Sequence, residues 1–571
     1  MSDPKRFAPL PAVQAVTAGR DKVMKDVFIK GMLLAPASPM ADIIQLSKFR
    51  ADLSAKSGTA RKNEILNSID PVAAVQAMHP TELYSVATEL GIGDSMDLLA
   101  LAAPEQVRAF FDLTVFKMGE PQFAIMDEWF MAALAHGHGQ ASKLFHALEE
   151  ELQTLYLARG LRIYQVHDEE APEDDVQRFT SPDGTFILEP AESEAKIMHL
   201  VADLYANDWQ EADRMLRDAK HTIFSELEDE ITRVREARLS ELGFPTREDA
   251  IGLFAKPKDG PLEKRRPIGQ PRRHLPARYA EALLGSSFLH SVFSQIHDDG
   301  LLGDIEAELM TLSNGILIAE TGEPADLEGL VVASGNLRHT LSLGLELLSR
   351  GEVPAAVALV EAHPLRAIFR YAHGQVLKLR GWADRAKREG LFAVPGMKNP
   401  LPADESLFLA ALLKPIPRFA EQAFSIPRAF GTRAELGAAQ RKLEQIAQRL
   451  IVVKWLIGTR SIETLFAGAE PGPDEATYRP MIRSALVHAA LGSEGTLAVT
   501  PAQLGDFAKT FVHAGGQVGV WPEHLVRPAE LVPVLDQEWA QLMKDVAEVT
   551  QPEPQFLDLI TAQSDHHDQL E

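Results

Sequence analysis

Apolar side chains recur at helical spacing along most of the 571-residue chain. One such face holds four residues at positions i, i+3, i+4 and i+7: Leu83, Val86, Ala87 and Leu90. Pro80 suits the first turn of this helix, where its missing N–H is not needed, and Gly91 suits the end. Because Pro104 opens a second segment of the same pattern, the two segments indicate one helical repeat.

Helical periodicity continues through the second half of the chain. A stripe at 3.6-residue spacing predicts a long helix, with these apolar members: Leu365, Ile368, Phe369, Ala372, Val376 and Leu379. Before it, Phe224 to Leu242 is typical of a charged helix that Gly243 and Pro245 end. Similar patterns predict helices around 340–350, 406–413, 433–457, 478–491 and 501–513.

One segment has the two-residue alternation of β-strands instead. Leu161 to Val166 alternates, and so do the residues on either side of Ser181-Pro182-Asp183-Gly184. Proline presets a turn dihedral and glycine accepts a positive φ, so this tetrapeptide predicts a hairpin turn. We therefore expect one small β insert within a helical protein.

The expected fold is mainly α, with stacked short helices in a solenoid-like arrangement and one small β-hairpin insert. The chain divides by composition into seven predicted segments: a basic, partly ordered leader at 1–65, a helical-repeat domain at 66–160, the β-hairpin insert at 161–190, a helical segment at 191–255, a basic proline-rich linker at 256–276, a C-terminal helical domain at 277–550 and an acidic tail at 551–571.

Charge and cysteine content exclude several classes of function. The chain has 57 Lys and Arg against 81 Asp and Glu, a formal net charge of −24, which argues against a general nucleic-acid binder. It has no cysteine, so disulfides, thiolate nucleophiles, zinc sites built on thiolates and iron–sulfur clusters are excluded. We find no Walker loop, Gly-x-Ser-x-Gly elbow, His-Glu-x-x-His motif or kinase motif set.

No targeting or membrane segment is recognisable. The N-terminus has no apolar run behind its basic residues, and the most apolar short run is Leu407 to Leu413, whereas a spanning helix needs about 20 residues. We therefore expect a cytoplasmic protein without a membrane partner.

Several phrases of the chain are similar to those of a known family: His79–Tyr84, Glu89–Gly91, Leu98–Gln106, Leu242–Pro245, Leu343–Leu348 and His363–Arg370. In these phrases the chain resembles an uncharacterised bacterial family known mainly from myxobacteria and related groups. The resemblance implies no activity, cofactor or catalytic residue. The Pro-x-Glu-Leu phrasing alone also resembles the helical N-terminal domain of magnesium transporters and flagellar motor-switch proteins, which are regulatory or protein-contact modules.

Two histidine clusters are the candidate metal ligands. His136 and His138 flank a glycine at a helix end, and His566 and His567 lie in the acidic tail. A metal site needs a third and fourth ligand of suitable type, and solvated histidines in a turn or a tail explain both clusters. We predict no metal and no cofactor.

A calcium loop is a further alternative near residue 300. Placing Gly300 at loop position six puts Glu306 at position twelve, as that loop requires. Gln295 and His297 then fall at positions one and three, so two required oxygens are wrong or weak. A helix-ending turn explains the same residues.

Two basic clusters are the candidate partner-binding residues. The first lies in the proline-rich stretch: Lys264, Arg265, Arg266, Arg272 and Arg273. The second, Arg366 and Arg370, lies behind an apolar helix stripe. The first cluster has no interleaved aromatic residues to stack on bases, and a basic helix face such as the second is usually just solvated. The prolines of the first also suit a linker that contacts the acidic surface of this same protein.

The favoured function is a non-catalytic cytoplasmic helical scaffold or adaptor that binds other proteins of unknown identity, because stacked helices offer an extended surface. One alternative is an enzyme with an active site between the two helical halves, which would need a pocket with converging His, Asp and Arg side chains. The other is a regulator that responds to an anion or nucleic acid through residues 256–273.

Overall fold

The computed structural model describes these residues: 8–9, 58–117, 119–137, 139–166, 178–191, 196–257, 260–267, 275–283, 285, 287–420, 426–493, 495–511, 528–548 and 557–562. The chain forms two compact units. Unit 1 comprises Met1–Ala255, Lys264–Arg338 and Pro364–Arg366. Unit 2 comprises Lys256–Glu263, His339–His363 and Ala367–Glu571.

Unit 1 is built mainly of short helices. They are α1 Gly58–Leu66, α2 Pro71–Gln76, α3 Pro80–Leu90, α4 Ile92–Leu99, α5 Pro104–Thr114, α6 Phe123–His136, α7 Gln140–His146, α8 Glu150–Gly160, α9 Lys196–Asn207, α10 Trp209–Lys220, α11 Phe224–Glu241, α12 Arg247–Gly252, α13 Ala277–Leu283, α14 Phe288–Phe293 and α15 Asp299–Thr321. The next helix, α16 Leu327–Ser349, begins in unit 1 and ends in unit 2.

Small sheets interrupt the helices of unit 1. Their strands are β1 Ala8–Pro9, β2 Phe116–Lys117, β3 Glu120–Pro121, β4 Leu161–Gln165, β5 Phe179–Thr180 and β6 Phe186–Pro190. Strands β4 and β5 both pair antiparallel with β6, β1 adds in parallel to β5, and β2 pairs with β3. The predicted hairpin turn is present between β5 and β6, with Gly184 at φ 74°.

Unit 2 contains longer helices around one core. They are α17 Val353–Ala362, α18 Leu365–Arg388, whose first two residues belong to unit 1, α19 Ala403–Leu412, α20 Arg433–Ile457, α21 Ile462–Leu465, α22 Tyr478–Leu491, α23 Pro501–Phe511 and α24 Val532–Glu548. A short sheet joins β7 Ala469–Glu470 to β8 Thr561–Ala562. Buried aromatic side chains such as Phe408, Phe507 and Trp539 fill the core.

Each unit also holds a buried polar network. In unit 1, Nε and Nη2 of Arg238 lie 2.7 and 2.8 Å from the Asp112 carboxylate, which joins α11 to α5. In unit 2, the Tyr478 hydroxyl donates to Glu405 over 2.6 Å, and Nε of Arg449 lies 2.8 Å from Oε1 of Glu538. These networks place buried charges beside hydrogen-bonding partners and link the helices that carry them.

The prediction of a mainly α fold is confirmed. Short helices are found over most of unit 1, but the helices from α15 onward include several of 23 to 25 residues.

The residues Asp298–Gly300 begin a helix, so the prediction that they form a helix-ending turn was wrong. Asp298 accepts from the Leu301 N–H over 2.7 Å and is the N-cap of α15. A calcium loop is excluded there because residues 299–321 are helical. No helix in the described residues has the length and apolarity to cross a membrane.

Candidate functional site

A cleft of about 500 Å³ lies within unit 1. Its walls come from the C-terminal end of α11, the helix α12, the buried face of α15, and the short segments Leu275–Pro276 and Pro364–Arg366. A volume of this size is typical of ligand and anchor-residue pockets. We refer to it below as the unit 1 cleft.

A tight turn at the end of α11 shapes one wall of the cleft. Gly243 ends the helix at φ 84°, a conformation that glycine adopts without steric cost, and the Phe244 N–H donates to the Leu239 carbonyl over 2.8 Å. The amide of Asn314 on α15 donates to the Gly243 carbonyl over 3.1 Å. The Tyr279 hydroxyl in turn donates to Asn314 over 2.7 Å. This buried chain of bonds fixes the turn against α15.

About half of the residues that line the cleft are apolar: Pro245, Leu253, Leu275, Pro276, Ala307, Met310, Leu312 and Pro364. Leu253, Pro276 and Leu312 are buried, whereas Met310 and Leu275 are half-buried. An apolar side chain that enters the cleft would therefore lose its contact with water. Removal of apolar surface from water is the main favourable contribution to the free energy of association.

A buried ion pair holds the wall where α18 begins. Nη1 of Arg265 lies 2.6 Å from Oε1 of Glu308, and the two side chains are only 6% and 15% exposed. The Leu365 N–H donates to the other Glu308 oxygen over 2.6 Å. Burial raises the pKa of Glu308, although Leu365 and Arg265 oppose the rise. Glu308 is thus held by a cation and by the first N–H of a helix.

A histidine at the cleft has a capping role. The Thr81 N–H donates to Nδ1 of His79 over 3.3 Å, and the Thr81 hydroxyl lies 2.7 Å from the same nitrogen. His79 therefore acts as the N-cap of α3, with Pro80 at the first helical position. Because Nδ1 accepts a backbone hydrogen bond, the neutral ring carries its proton on Nε2.

Exposed charges surround the cleft. Glu241 and Asp249 are exposed carboxylates, and Glu306 is half-buried on α15. Asp249 takes part in the capping of α12, where its own N–H donates to the Thr246 hydroxyl over 3.2 Å. Arg366, also exposed, adds a positive charge to the lining. Since Arg265 pairs with Glu308, the other carboxylates outnumber the guanidinium of Arg366 among the lining residues that the structure describes.

The structure brings two of the predicted basic residues to this cleft. Arg366 lines it directly, and Arg265 reaches its wall through Glu308. Lys264 and Arg266 are exposed on either side of Arg265, and Arg370 is half-buried on α18. Arg272 and Arg273 lie outside the described residues.

The histidine clusters are only partly described. Nε2 of His136 lies 3.7 Å from Oδ1 of Asp97, and His138, His566 and His567 lie outside the described residues. The turn that follows His136 is held by Asp203, which accepts from the N–H groups of Gly139 and Ser142 over 3.0 and 2.9 Å. Among the described residues, no group of three or more His, Asp or Glu side chains is arranged to hold a metal ion.

Sequence reasoning missed most of the cleft. Glu308, Asn314 and Tyr279 belong to no local motif, because their partners lie at least 35 residues away along the chain. A signal was nevertheless available, since three of the phrases on which the family resemblance rests, those beginning at His79, Leu242 and His363, contribute residues to the cleft.

Comparisons with known proteins bear out one part of that resemblance, membership of a family without a known function. No curated protein and no solved structure matches the chain. A family model does match, over residues 38–563, which is most of the chain. The chain therefore belongs to DUF6178, a family of unknown function.

Proposed function

We propose that this protein is a non-catalytic helical scaffold or adaptor that binds other proteins, and that the unit 1 cleft is its docking site. The observation that carries the proposal is the combination of an apolar floor with an exposed charged rim. Protein interfaces commonly have this arrangement, in which apolar side chains form a core and polar ones surround it.

The bonding of the polar groups in the cleft favours binding over catalysis. An acid–base catalyst needs a titratable group directed at substrate, usually with its pKa near the working pH. Nδ1 of His79 is engaged with Thr81, and the Glu308 carboxylate is engaged with Arg265 and Leu365. The two groups best suited to acid–base chemistry therefore hold the fold together.

Several wider expectations form part of this proposal. We place the scaffold in the cytoplasm of a bacterium, in keeping with its cysteine-free composition, without a membrane or nucleic-acid partner and without a cofactor or metal. The family is proposed to occur mainly in myxobacteria and related groups. The likeness of the Pro80 helix to magnesium-transporter and motor-switch domains suits a role in protein contact.

A cleft-filling variant tests the proposal. Ala307 is half-buried in the cleft on α15, so Ala307→Trp places an indole where a partner side chain would enter. The matched control is Ala237→Trp, on the exposed face of α11 away from the cleft lining. Quantitative pull-down of the full chain from its own cells should recover a stoichiometric protein that the control retains and Ala307→Trp loses. An identical set of partners in both variants would refute the docking role.

An enzyme with an active site in the unit 1 cleft is a second candidate function, because of Arg366. The cleft contains His79, Asp249 and Arg366, and Arg366 makes no ion pair with the described part of the chain. An unpaired guanidinium beside a pocket is suited to a carboxylate or phosphate ligand. Small molecules retained by native protein, identified by mass spectrometry and absent from Ala307→Trp, would favour this candidate.

The anion- or nucleic-acid-responsive regulator is the third candidate. Of its proposed contacts in residues 256–273, Lys264 and Arg266 are exposed, while Arg265 is engaged with Glu308. Salt-dependent binding of nucleic acid that is lost when Lys264 and Arg266 become Ala would favour it.

A further inference from the structure

We infer that the partner segment recognised by the unit 1 cleft is a cationic peptide, with one large apolar side chain that enters the cleft and a lysine or arginine beside it. This inference rests on the proposed docking function and adds the chemistry of the partner. It follows from the position of two kinds of residue, apolar ones inside the cleft and carboxylates around it.

The interior of the cleft favours an apolar anchor. Leu253 and Leu312 form buried parts of its lining, and Met310 is half-buried there. Methionine is unbranched and adapts its shape to the group packed against it. A leucine, methionine or phenylalanine side chain fits within a space of about 500 Å³, whereas a polar side chain would lose its hydrogen bonds to water there.

The rim selects for positive charge. Among the described residues that line the cleft, the carboxylates of Glu241, Asp249 and Glu306 accompany one exposed guanidinium, that of Arg366. The whole chain carries a formal net charge of −24, which repels acidic peptides and phosphates before they reach the cleft. Complementary charge of this kind steers association and suppresses wrong partners more than it adds affinity.

The position of Glu241 makes the charge preference testable without damage to the fold. Glu241 is the last residue of α11 and is exposed at the cleft, so its substitution removes no buried contact. Glu236 is exposed on the same helix but does not line the cleft, which makes Glu236→Lys a control with the same change in net charge.

The experiment selects peptides from a random 12-residue phage library on the immobilised full chain. Selected peptides should share an apolar residue with a Lys or Arg within four positions of it. Their synthetic, fluorescently labelled forms should bind Glu241→Lys roughly threefold to tenfold more weakly than Glu236→Lys, as expected for the reversal of one exposed charge pair.

Two outcomes would overturn the inference. One is a consensus without a cation, and the other is equal binding of the cationic peptides to Glu241→Lys and Glu236→Lys. Both differ from failure of the docking function itself, because Ala307→Trp reports on the cleft whatever the charge of the partner. Loss of the natural partner from Ala307→Trp together with a neutral peptide consensus would keep the docking site and discard the cationic partner.

Discussion

The guanidinium of Arg265 and the carboxylate of Glu308 form a buried ion pair, with Nη1 and Oε1 2.6 Å apart. Arg265 lies in the proline-rich basic stretch whose composition suits a linker that contacts the acidic surface of this same protein. The pair ties that stretch to α15. Because Glu308 also accepts the Leu365 N–H, one carboxylate joins the proline-rich stretch, α15 and the first residue of α18 within unit 1.

Glu308→Gln should destabilise unit 1. Removing one partner of a buried ion pair leaves the other charge uncompensated, at a cost of about 3 kcal/mol. The substitution also weakens the hydrogen bond from the Leu365 N–H, so the backbone amide hydrogen of Leu365 should exchange with solvent faster. Urea unfolding and hydrogen exchange measure the two effects.

The double variant Arg265→Met with Glu308→Leu is the control for Glu308→Gln, since apolar replacement of both partners should recover much of the lost stability. Equal stability of Glu308→Gln and wild type would contradict this role.

Gly315 and Gly335 should respond oppositely to the same substitution. A Cβ at Gly315 would lie 2.6 Å from Cδ1 of Leu253, which is buried beside the cleft, whereas nothing lies within 4 Å of a Cβ at Gly335. Gly315→Ala should therefore cost about 1 to 3 kcal/mol by overpacking. Gly335→Ala, within helix α16, should gain about 0.5 to 1 kcal/mol from helix propensity. Thermal unfolding of both variants measures the two changes in stability. A Gly315→Ala variant more stable than the wild type would contradict the close packing of Gly315 against Leu253.

Replacing Asp203 should lower the free energy of unfolding more than replacing an exposed aspartate that also accepts backbone N–H groups at a helix start. Asp203 is fully buried and accepts two N–H groups at the start of α7, so Asp203→Ala leaves both donors without their acceptor, at about 1 to 3 kcal/mol each. Asp208 caps α10 at the surface, and Asp208→Ala should cost only about 1 kcal/mol. Urea unfolding of the two variants compares them. Equal losses would show that the Asp203 bonds add nothing beyond an ordinary cap.

His488 should make unit 2 sensitive to weak acid. Burial lowers the pKa of His488 from its ordinary 6.5, and its neutral ring is bonded to Ser493 Oγ and the Ala498 carbonyl over 2.8 and 3.1 Å. The folded state therefore resists protonation. The neutral His488 ring therefore contributes to the free energy of unfolding, and this contribution is fully present above pH 6.5 and is lost as the pH falls through the lowered pKa.

His488→Gln removes that titration and provides the test. Relative to this variant, the wild-type free energy of unfolding should fall between pH 7 and pH 5, a window set by the ordinary pKa of about 6.5 and its downward shift. His221→Gln, at an exposed histidine, is the control and should follow the wild type. Parallel curves for wild type and His488→Gln would show that His488 does not report on folding.

Much of the helical fold could be predicted because its signals are local. The stripe from Leu365 and the pattern from Leu83 repeat within one element, and the turn at Ser181–Gly184 is encoded in four residues. The bounds of α20 and α22 match the predicted helices at 433–457 and 478–491. The helix at Asp299–Thr321 was missed because its acidic start also suits a turn or a calcium loop.

The cleft could not be predicted because its contacts are distant in sequence. Arg265 was singled out for its charge, but nothing local indicates that Glu308 neutralises it. His79 was noted only as part of a family phrase, and its capping bond to Thr81 depends on backbone geometry. Arg366 was chosen for a basic helix face, and its place at a cleft follows from how α11 and α15 pack within unit 1.

Photocrosslinking from inside the cleft tests the central claim most directly. Met310 is half-buried in the cleft, so p-benzoylphenylalanine at this position would contact whatever occupies it; the same group at the exposed position of Ala237 is the control. Irradiation of living cells should give a discrete covalent adduct with another protein from position 310 and not from position 237. A position 310 that gives no protein adduct, or only small-molecule adducts, would contradict the account of the cleft as a protein-docking site.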